Sequence, residues 1–472
     1  MASFRGILKQ YNSTFWVANT IELFERMAWY GFFFLFANYL TKSTDLGGLE
    51  FSQSQKGMIM GIGTGILYFL PIITGAIADR FGYKKVLILA FIVYVSAFLV
   101  FPLFDTFTAV FLVYIYLAIG AALFKPVISA TIAKTTNDQT ASMGFGIFYM
   151  MVNLGAFIGP LITMPAKDNL FYIVAGIISI NFFMLLFYKE PERDTESKPL
   201  GESFKTIYNN IVTVVSNLQF MVFLLIIAGF WTMYNQLFFT LPVFVEMWVD
   251  SSNLYAFYAE YIPVIAENYS HNGQIEPEFI TNSGAFFIIA FQLIVSYLVM
   301  KLRPLNAMIT GIIIATIGMS LTLITQSAVF IIVAIFIFAI GEMAASPKIT
   351  EYIGRIAPKD NKALYMGFAY VPMFLGNILA GIVSGVVYEN LSDKYKFASD
   401  YANNNGLIID ENLTNNQMFE SLAQQMNITP IEFTNILWNQ YNPGQFWIVI
   451  AAIGGVAIIS LIFYDRYLQK SK

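Results

Sequence analysis

Twelve apolar runs constrain this 472-residue chain more than any other feature. Each reaches the roughly 20 residues that a helix needs to cross a bilayer. They lie near 14–41, 56–78, 85–104, 107–133, 142–166, 169–188, 218–248, 279–300, 305–325, 328–354, 363–389 and 444–465. Charged residues make up 12% and hydrophobic ones 57%, whereas a soluble domain carries about 25% charged residues. The expectation is an all-α, multi-pass membrane protein. The runs form two sets of six, giving a first bundle over 1–188, a charged linker over 189–217 and a second bundle over 218–472. The first run is too long for a cleavable leader and is followed by further spans.

Lysine and arginine set the expected orientation. Eighteen lie in the termini and in the loops on the same side, five in the opposite loops and three inside spans. Both termini and the linker are therefore expected in the cytoplasm, with the bilayer as the chain's surroundings. Two outer loops are long, about 249–278 and 390–443. In the second, Thr429, Pro430 and Glu432 form an N-cap, first-turn proline and capping-box set. Phe433, Ile436 and Leu437 give that helix an apolar stripe.

Several function classes are excluded. There is no cysteine, and His271, the single histidine, lies in a polar loop, so thiol chemistry, thiolate sites and a histidine metal cluster are not expected. With neither HExxH nor GxSxG present, an intramembrane enzyme is disfavoured. A net charge of −4 argues against a broad nucleic-acid surface. No cofactor or metal is expected.

The first run carries Glu22, Glu25 and Arg26. Each charge costs about 2.5–3.5 kcal/mol at a bilayer centre on insertion scales. At i, i+3 and i+4 they share one helical face, so they can point together into a bundle. A carboxylate competing for a cation has a proton affinity set by its neighbours, which makes Glu22, Glu25 and Arg26 candidates for proton coupling. A static salt-bridge network that only fixes helix packing is the alternative.

GAIADRFGYKK, with Gly75, Asp79 and Arg80, closely resembles the signature of the major facilitator superfamily. Within it, ELFERMAWYG looks like the E-x-x-E-R-F-x-Y-Y-G motif of the proton-dependent oligopeptide transporters, Met27 and Trp29 being substitutions. YFLPIITG (Tyr68, Pro71), GAALFKPVIS (Lys125, Pro126), GFGIFYMMVNLGAFIGP (Tyr149, Asn153), GEMAASPKITEYIGRIAP (Glu342, Ser346, Pro347) and MGFAYVPMFLGN (Gly376, Asn377) are similar to further family motifs, from about residue 20 to 380.

The resemblance implies the superfamily fold, twelve transmembrane helices in two six-helix bundles, working by alternating access. It also implies a monomeric symporter of the plasma membrane (the bacterial inner membrane) that imports di- and tripeptides with protons. A peptide carries a carboxylate and an ammonium. Arg26 and Lys125 would serve the first, and Glu342 with Asn153 and Asn282 the second. Tyr30, Tyr68, Tyr149 and Trp231 would line side-chain pockets, with Asn235 beside them. For Lys125 the alternative is a structural ion pair with Glu22 or Glu25; for Tyr68 and Tyr149 it is plain packing.

The chain departs from the family at two positions. Phe33 stands where the family has arginine, and Asn235 where it has an acid. Losing both charges together leaves no orphan ion. Lys348 and Glu351, three residues apart, are additions that can pair, snorkel or enlarge the cationic end. These departures keep two rivals open, a changed zwitterionic or anionic cargo (or export) and a non-transporting receptor.

Overall fold

In hydrocarbon every backbone amide must find its partner inside the chain, which a helix achieves locally. The computed structural model describes residues 10–137, 140–192, 211–358 and 362–470, with Leu8 and Asn209 besides. Much of the expected linker, 193–208, lies outside the described residues, as do residues 1–7 at the N-terminus.

Helix α1 (Ser13–Thr41) contains no proline and closes on a 3-10 turn, Thr44–Leu46, capped by Gly47 at φ 82°. Helices α2 (Gln53–Phe69) and α3 (Pro71–Phe81) are one span broken at Pro71 with a 45° bend. Next come α4 (Tyr83–Val100), α5 (Phe107–Lys134), α6 (Ala141–Thr163) and α7 (Leu170–Phe187). The seventh span is broken twice, into α8 (Leu218–Tyr234), α9 (Gln236–Phe239) and α10 (Leu241–Trp248). Its breaks fall at Asn235 and at Thr240, just before Pro242, where a proline removes a helix donor.

The first long loop folds as α11 (Ser252–Tyr261), α12 (Pro263–Asn268) and a two-stranded hairpin, Ser270–His271 with Gln274–Ile275. Then follow α13 (Pro277–Val299), α14 (Pro304–Ser320) and α15 (Ala328–Ile356). The eleventh span comprises α16 (Lys362–Gly367), α17 (Val371–Ile382), a π turn at Val383–Val387 and α18 (Tyr388–Leu391). The second loop holds α19 (Lys394–Asn405), α20 (Asn415–Gln425) and α21 (Pro430–Tyr441), and α22 (Phe446–Lys470) ends the described chain.

Among the described residues nine stretches are long and apolar enough to cross a membrane, or ten with the bent α2–α3 pair. One of the nine, Met143–Phe187, includes both α6 and α7 on either side of a break at Met164–Asn169. Counting these separately, and adding the bent α2–α3 pair and the charge-bearing α1, gives the twelve crossings expected.

The chain forms two compact units, and they do not follow the sequence halves. Unit 1 holds residues 1–32, 63–225 and 353–374; unit 2 holds 33–62, 226–352 and 375–472. In unit 1, α1 lies so close to α6 that a Cβ at Gly159 would overlap the Met27 carbonyl oxygen. In unit 2, the start of α2 meets α17 backbone to backbone: a Cβ at Gly61 would lie 2.8 Å from the Gly381 Cα.

Unit 2 also contains the three-helix insert α19–α21, with a core of its own. Phe419 stacks on Phe433 at 4.8 Å, and Phe397 on Tyr441 at 4.7 Å. The capping box at Thr429 forms reciprocally with Glu432, and Phe433 and Leu437 are buried. One helix was legible here in the sequence, and α19 and α20 are additions. Trp438 of α21 rests on Trp248 of α10 at 6.0 Å.

Candidate functional site

The spacing of Glu22, Glu25 and Arg26 does what helix geometry predicts, turning all three to one side of α1, where all are buried. Arg26 grips Glu25 with two bonds, Nε to Oε2 at 2.5 Å and Nη2 to Oε1 at 2.6 Å. Its Nε also lies 3.4 Å from Glu22 Oε1. The Tyr94 hydroxyl, from α4, donates to Glu25 Oε1. The Tyr30 ring lies 5.8 Å from the Arg26 guanidinium.

Lys125 approaches from α5, one residue before Pro126. It closes no ion pair within 4 Å among the described residues; its ammonium sits 5.1 Å from the centre of the Tyr68 ring. It remains within Coulombic reach of Glu22, Glu25 and Arg26. Tyr68 in turn stacks on Tyr370 at 6.3 Å. Two carboxylates and two cations balance to no net charge, and Glu25 accepts charge-assisted hydrogen bonds from Arg26 and one from Tyr94, which lets such a cluster survive away from water. Arg26 is committed to both acids, whereas Lys125 touches a ring face and feels the acids only at longer range.

On α6 the Asn153 amide donates to the Tyr149 carbonyl at 2.8 Å, and the Tyr149 side chain is exposed. Tyr30, Tyr68, Lys125, Tyr149 and Asn153 thus share unit 1 with the acidic pair and Arg26.

Trp231, Asn235, Asn282 and Glu342 belong to unit 2. Trp231 packs edge-on against Tyr234 at 5.0 Å. Asn235 caps the break between α8 and α9, buried, and its Nδ2 has no hydrogen-bond partner among the described residues. Asn282 on α13 and Glu342 on α15 are also buried. Phe33 fills its place with aromatic contacts, 5.5 Å from Phe238 and 6.1 Å from Phe239.

Charge reappears beyond the end of α1, at positions that the motifs do not mark. Lys42 pairs with Glu246 of α10 at 2.6 Å, and the Asn38 amide donates to Glu278 of α13 at 2.7 Å. Lys348 and Glu351 do pair, at 2.8 Å. The other residue missed in the sequence is Tyr94. Its one signal is a phenol in the apolar middle of a helix, since a buried tyrosine hydroxyl usually finds a partner.

Membrane-crossing helices around a balanced, buried ion cluster define a polytopic transporter scaffold. The chain belongs to the Major Facilitator Superfamily, whose family model matches residues 20–259 and 251–398. The resemblance to oligopeptide transporters holds among individual relatives as well. An uncharacterized transporter, YclF, of Bacillus subtilis (strain 168) is 31% identical over 172 residues, covering 35% of this chain and 33% of that protein. The di-/tripeptide transporter of Lactococcus lactis subsp. cremoris is 28% identical over 193 residues, covering 39% and 36%. The matched segment therefore spans about a third of these relatives. The crystal structure of a POT family transporter in complex with 5-aminolevulinic acid superposes with a TM-score of 0.70 at 18% identity, covering 98% of both chains. It shares the fold.

Proposed function

We propose that this chain is a proton-coupled symporter that imports di- and tripeptides. The observation that carries this reading is the division of labour between two buried cations. Arg26 is occupied by Glu22 and Glu25, while Lys125 rests on the Tyr68 ring and, among the described residues, has no carboxylate within 4 Å. A substrate carboxylate is the natural partner for Lys125. Protonation of Glu25 or Glu22 would loosen Arg26 and add a second cation for the same carboxylate, which couples proton to peptide.

At the substrate's other end, Glu342 binds the ammonium, with Asn153 and Asn282 as hydrogen-bonding partners. The Asn235 amide, whose Nδ2 has no partner among the described residues, offers a donor for a peptide carbonyl, and Tyr30, Tyr68, Tyr149 and Trp231 accept varied side chains. The two six-span halves, 1–188 and 218–472, exchange access to the site by rocking. The lysine and arginine distribution supports termini in the cytoplasm, and this reading takes the protein to be a monomer of the plasma membrane.

The test is reconstitution in liposomes, with uptake of labelled dialanine, trialanine and alanine measured with and without an inward proton gradient. Gradient-driven uptake of the peptides alone is expected. Uptake of none, or of alanine equally, refutes the peptide reading. A second reading keeps the fold and changes the cargo to another small zwitterion. Phe33 and Asn235 favour it, and so does the 5-aminolevulinic acid in the similar POT family structure. Uptake of labelled 5-aminolevulinic acid in the same liposomes decides between them.

A further inference from the structure

The loop between α1 and α2 is held at its tip by the insert α19–α21, and the hold is built from carboxylates and a helix end. Four backbone donors at the start of any helix lack partners within it, and the aligned peptide dipoles favour negative charge there. At the start of α20 two of those donors are met from far along the chain, the others by its own Thr414 cap. The Asn415 N–H donates to Glu50 Oε1 at 2.5 Å, and the Asn416 N–H to Ser43 Oγ at 3.1 Å. The Thr414 hydroxyl donates to Asp45 Oδ1 at 2.7 Å, and the Asn416 amide to Asp45 Oδ2 at 3.0 Å.

Glu50 is poised for this role at a conformational cost. Its φ of 57° is left-handed, a region that side chains larger than glycine seldom adopt. Its second oxygen accepts from the Thr44 amide at 3.1 Å and from the Thr44 hydroxyl at 3.0 Å, so the carboxylate braces its own loop while gripping α20. Closer to α2, the Ser54 N–H donates to Glu389 at 2.8 Å and the Gln53 amide to Asp393 at 2.9 Å.

Two polar cavities flank the contact. One, of about 120 Å³, is bordered by Lys42, Glu246, Lys394 and Asn416; the other, of about 290 Å³, by Glu50, Glu389, Asp393 and Lys396. Polar cavities of this size admit water. Water can therefore replace each of these hydrogen bonds as it breaks.

We infer that Asp45 and Glu50 are positioning residues of the transport cycle: they clasp the start of α20 and so hold the α1–α2 loop of the first half to the insert of the second. Opening toward the outer side requires that clasp to release. The inference rests on the proposed two-half transporter but not on its cargo.

The absence of cysteine makes the test direct, because introduced pairs label without background. Leu46→Cys with Gln424→Cys, spin-labelled in liposomes, reports the separation of loop and insert by pulsed electron resonance. The parent pair should give one short distance. Adding Asp45→Asn with Glu50→Gln should populate a second, longer distance at least threefold over the parent, while Thr414→Ser, which keeps its hydroxyl, should leave the short distance dominant. In dialanine uptake the double substitution should change the maximal rate at least twofold, with KM unchanged.

Unchanged distances in the double variant overturn the inference. So does equal broadening by Thr414→Ser, which would mean general loosening of the insert. If the distances shift as expected while even the parent fails to carry dialanine, the clasp stands and the cargo reading falls.

Discussion

The Tyr94 hydroxyl donates a hydrogen bond to Glu25 Oε1, joining α4 to the charged face of α1. That oxygen also accepts from Arg26 Nη2, so two donors from different helices compete for it. A hydrogen bond to a charged group contributes about 1.5–3 kcal/mol. Tyr94→Phe is expected to lower the melting temperature in detergent and to slow proton-driven uptake. An unchanged melting temperature and rate would leave the phenol without a role.

Glu25→Gln removes the ionisable member of the Arg26 pair but keeps its size. Proton-driven accumulation should disappear while counterflow of substrate persists, measured in one liposome preparation. Accumulation equal to the parent would sink the role given to Glu25. Lys125→Gln should leave the Arg26–Glu25 pair in place and raise KM for dialanine tenfold or more, equivalent to about 1.4 kcal/mol.

Gly159 tests the packing of α1 on α6. A methyl group there meets backbone, which cannot rotate away, and overpacking of this kind costs about 1–3 kcal/mol. Gly159→Ala should therefore lower the melting temperature. Gly176→Ala is the matched control, since nothing lies within 4 Å of its added carbon.

The insert's core should melt independently of the membrane helices. Phe433 is fully buried between Phe419 and Tyr401, and truncating a buried phenylalanine costs about 3–5 kcal/mol. Phe433→Ala is expected to expose 394–441 to proteases while the spans stay protected. Cleavage identical to the parent would contradict a separate core.

Acid should loosen the insert only at low pH. Slight burial works against the charge on Asp45, but hydrogen bonds from Ser43, Thr414 and Asn416 outweigh it and hold the carboxyl below its usual range. Asp410 is held low by the backbone N–H and side chain of Asn412. A depressed carboxyl stabilises the fold above its unfolded value, near 4, and that stability is lost as pH falls through the folded value. The part of the transition that Asp45 and Asp410 carry should show as a change in Trp438 fluorescence below about pH 4. The facing Lys42, Lys394, Lys396, Glu246, Glu389 and Asp393 keep their own contributions, so Asp45→Asn should remove only part of the transition.

The spans were legible because apolar length is a strong signal, and the Glu22–Arg26 face because helical spacing is rigid. The capping box at Thr429 was legible for the same local reason. Partners across helices were not. Nothing near Tyr94 in the sequence points to Glu25, which lies 69 residues away. The Lys42–Glu246 pair was hidden at the helix ends, where single charges are common. The insert's other two helices are polar with few apolar residues, so their pattern resembles an ordinary loop until α21 supplies the facing surface. Compact units that cut through α1 between Phe32 and Phe33 could not be inferred from two sets of six runs.

At the Gly57–Gly61 and Gly381–Gly385 seam, main chain faces main chain with no side chains between. Interlocked side chains must change rotamer before two helices can slide or part, and each such step adds a barrier. A seam of bare backbone has no such teeth. It holds by the sum of many weak dispersion contacts, so in the proposed rocking cycle it would serve as a low-friction bearing surface.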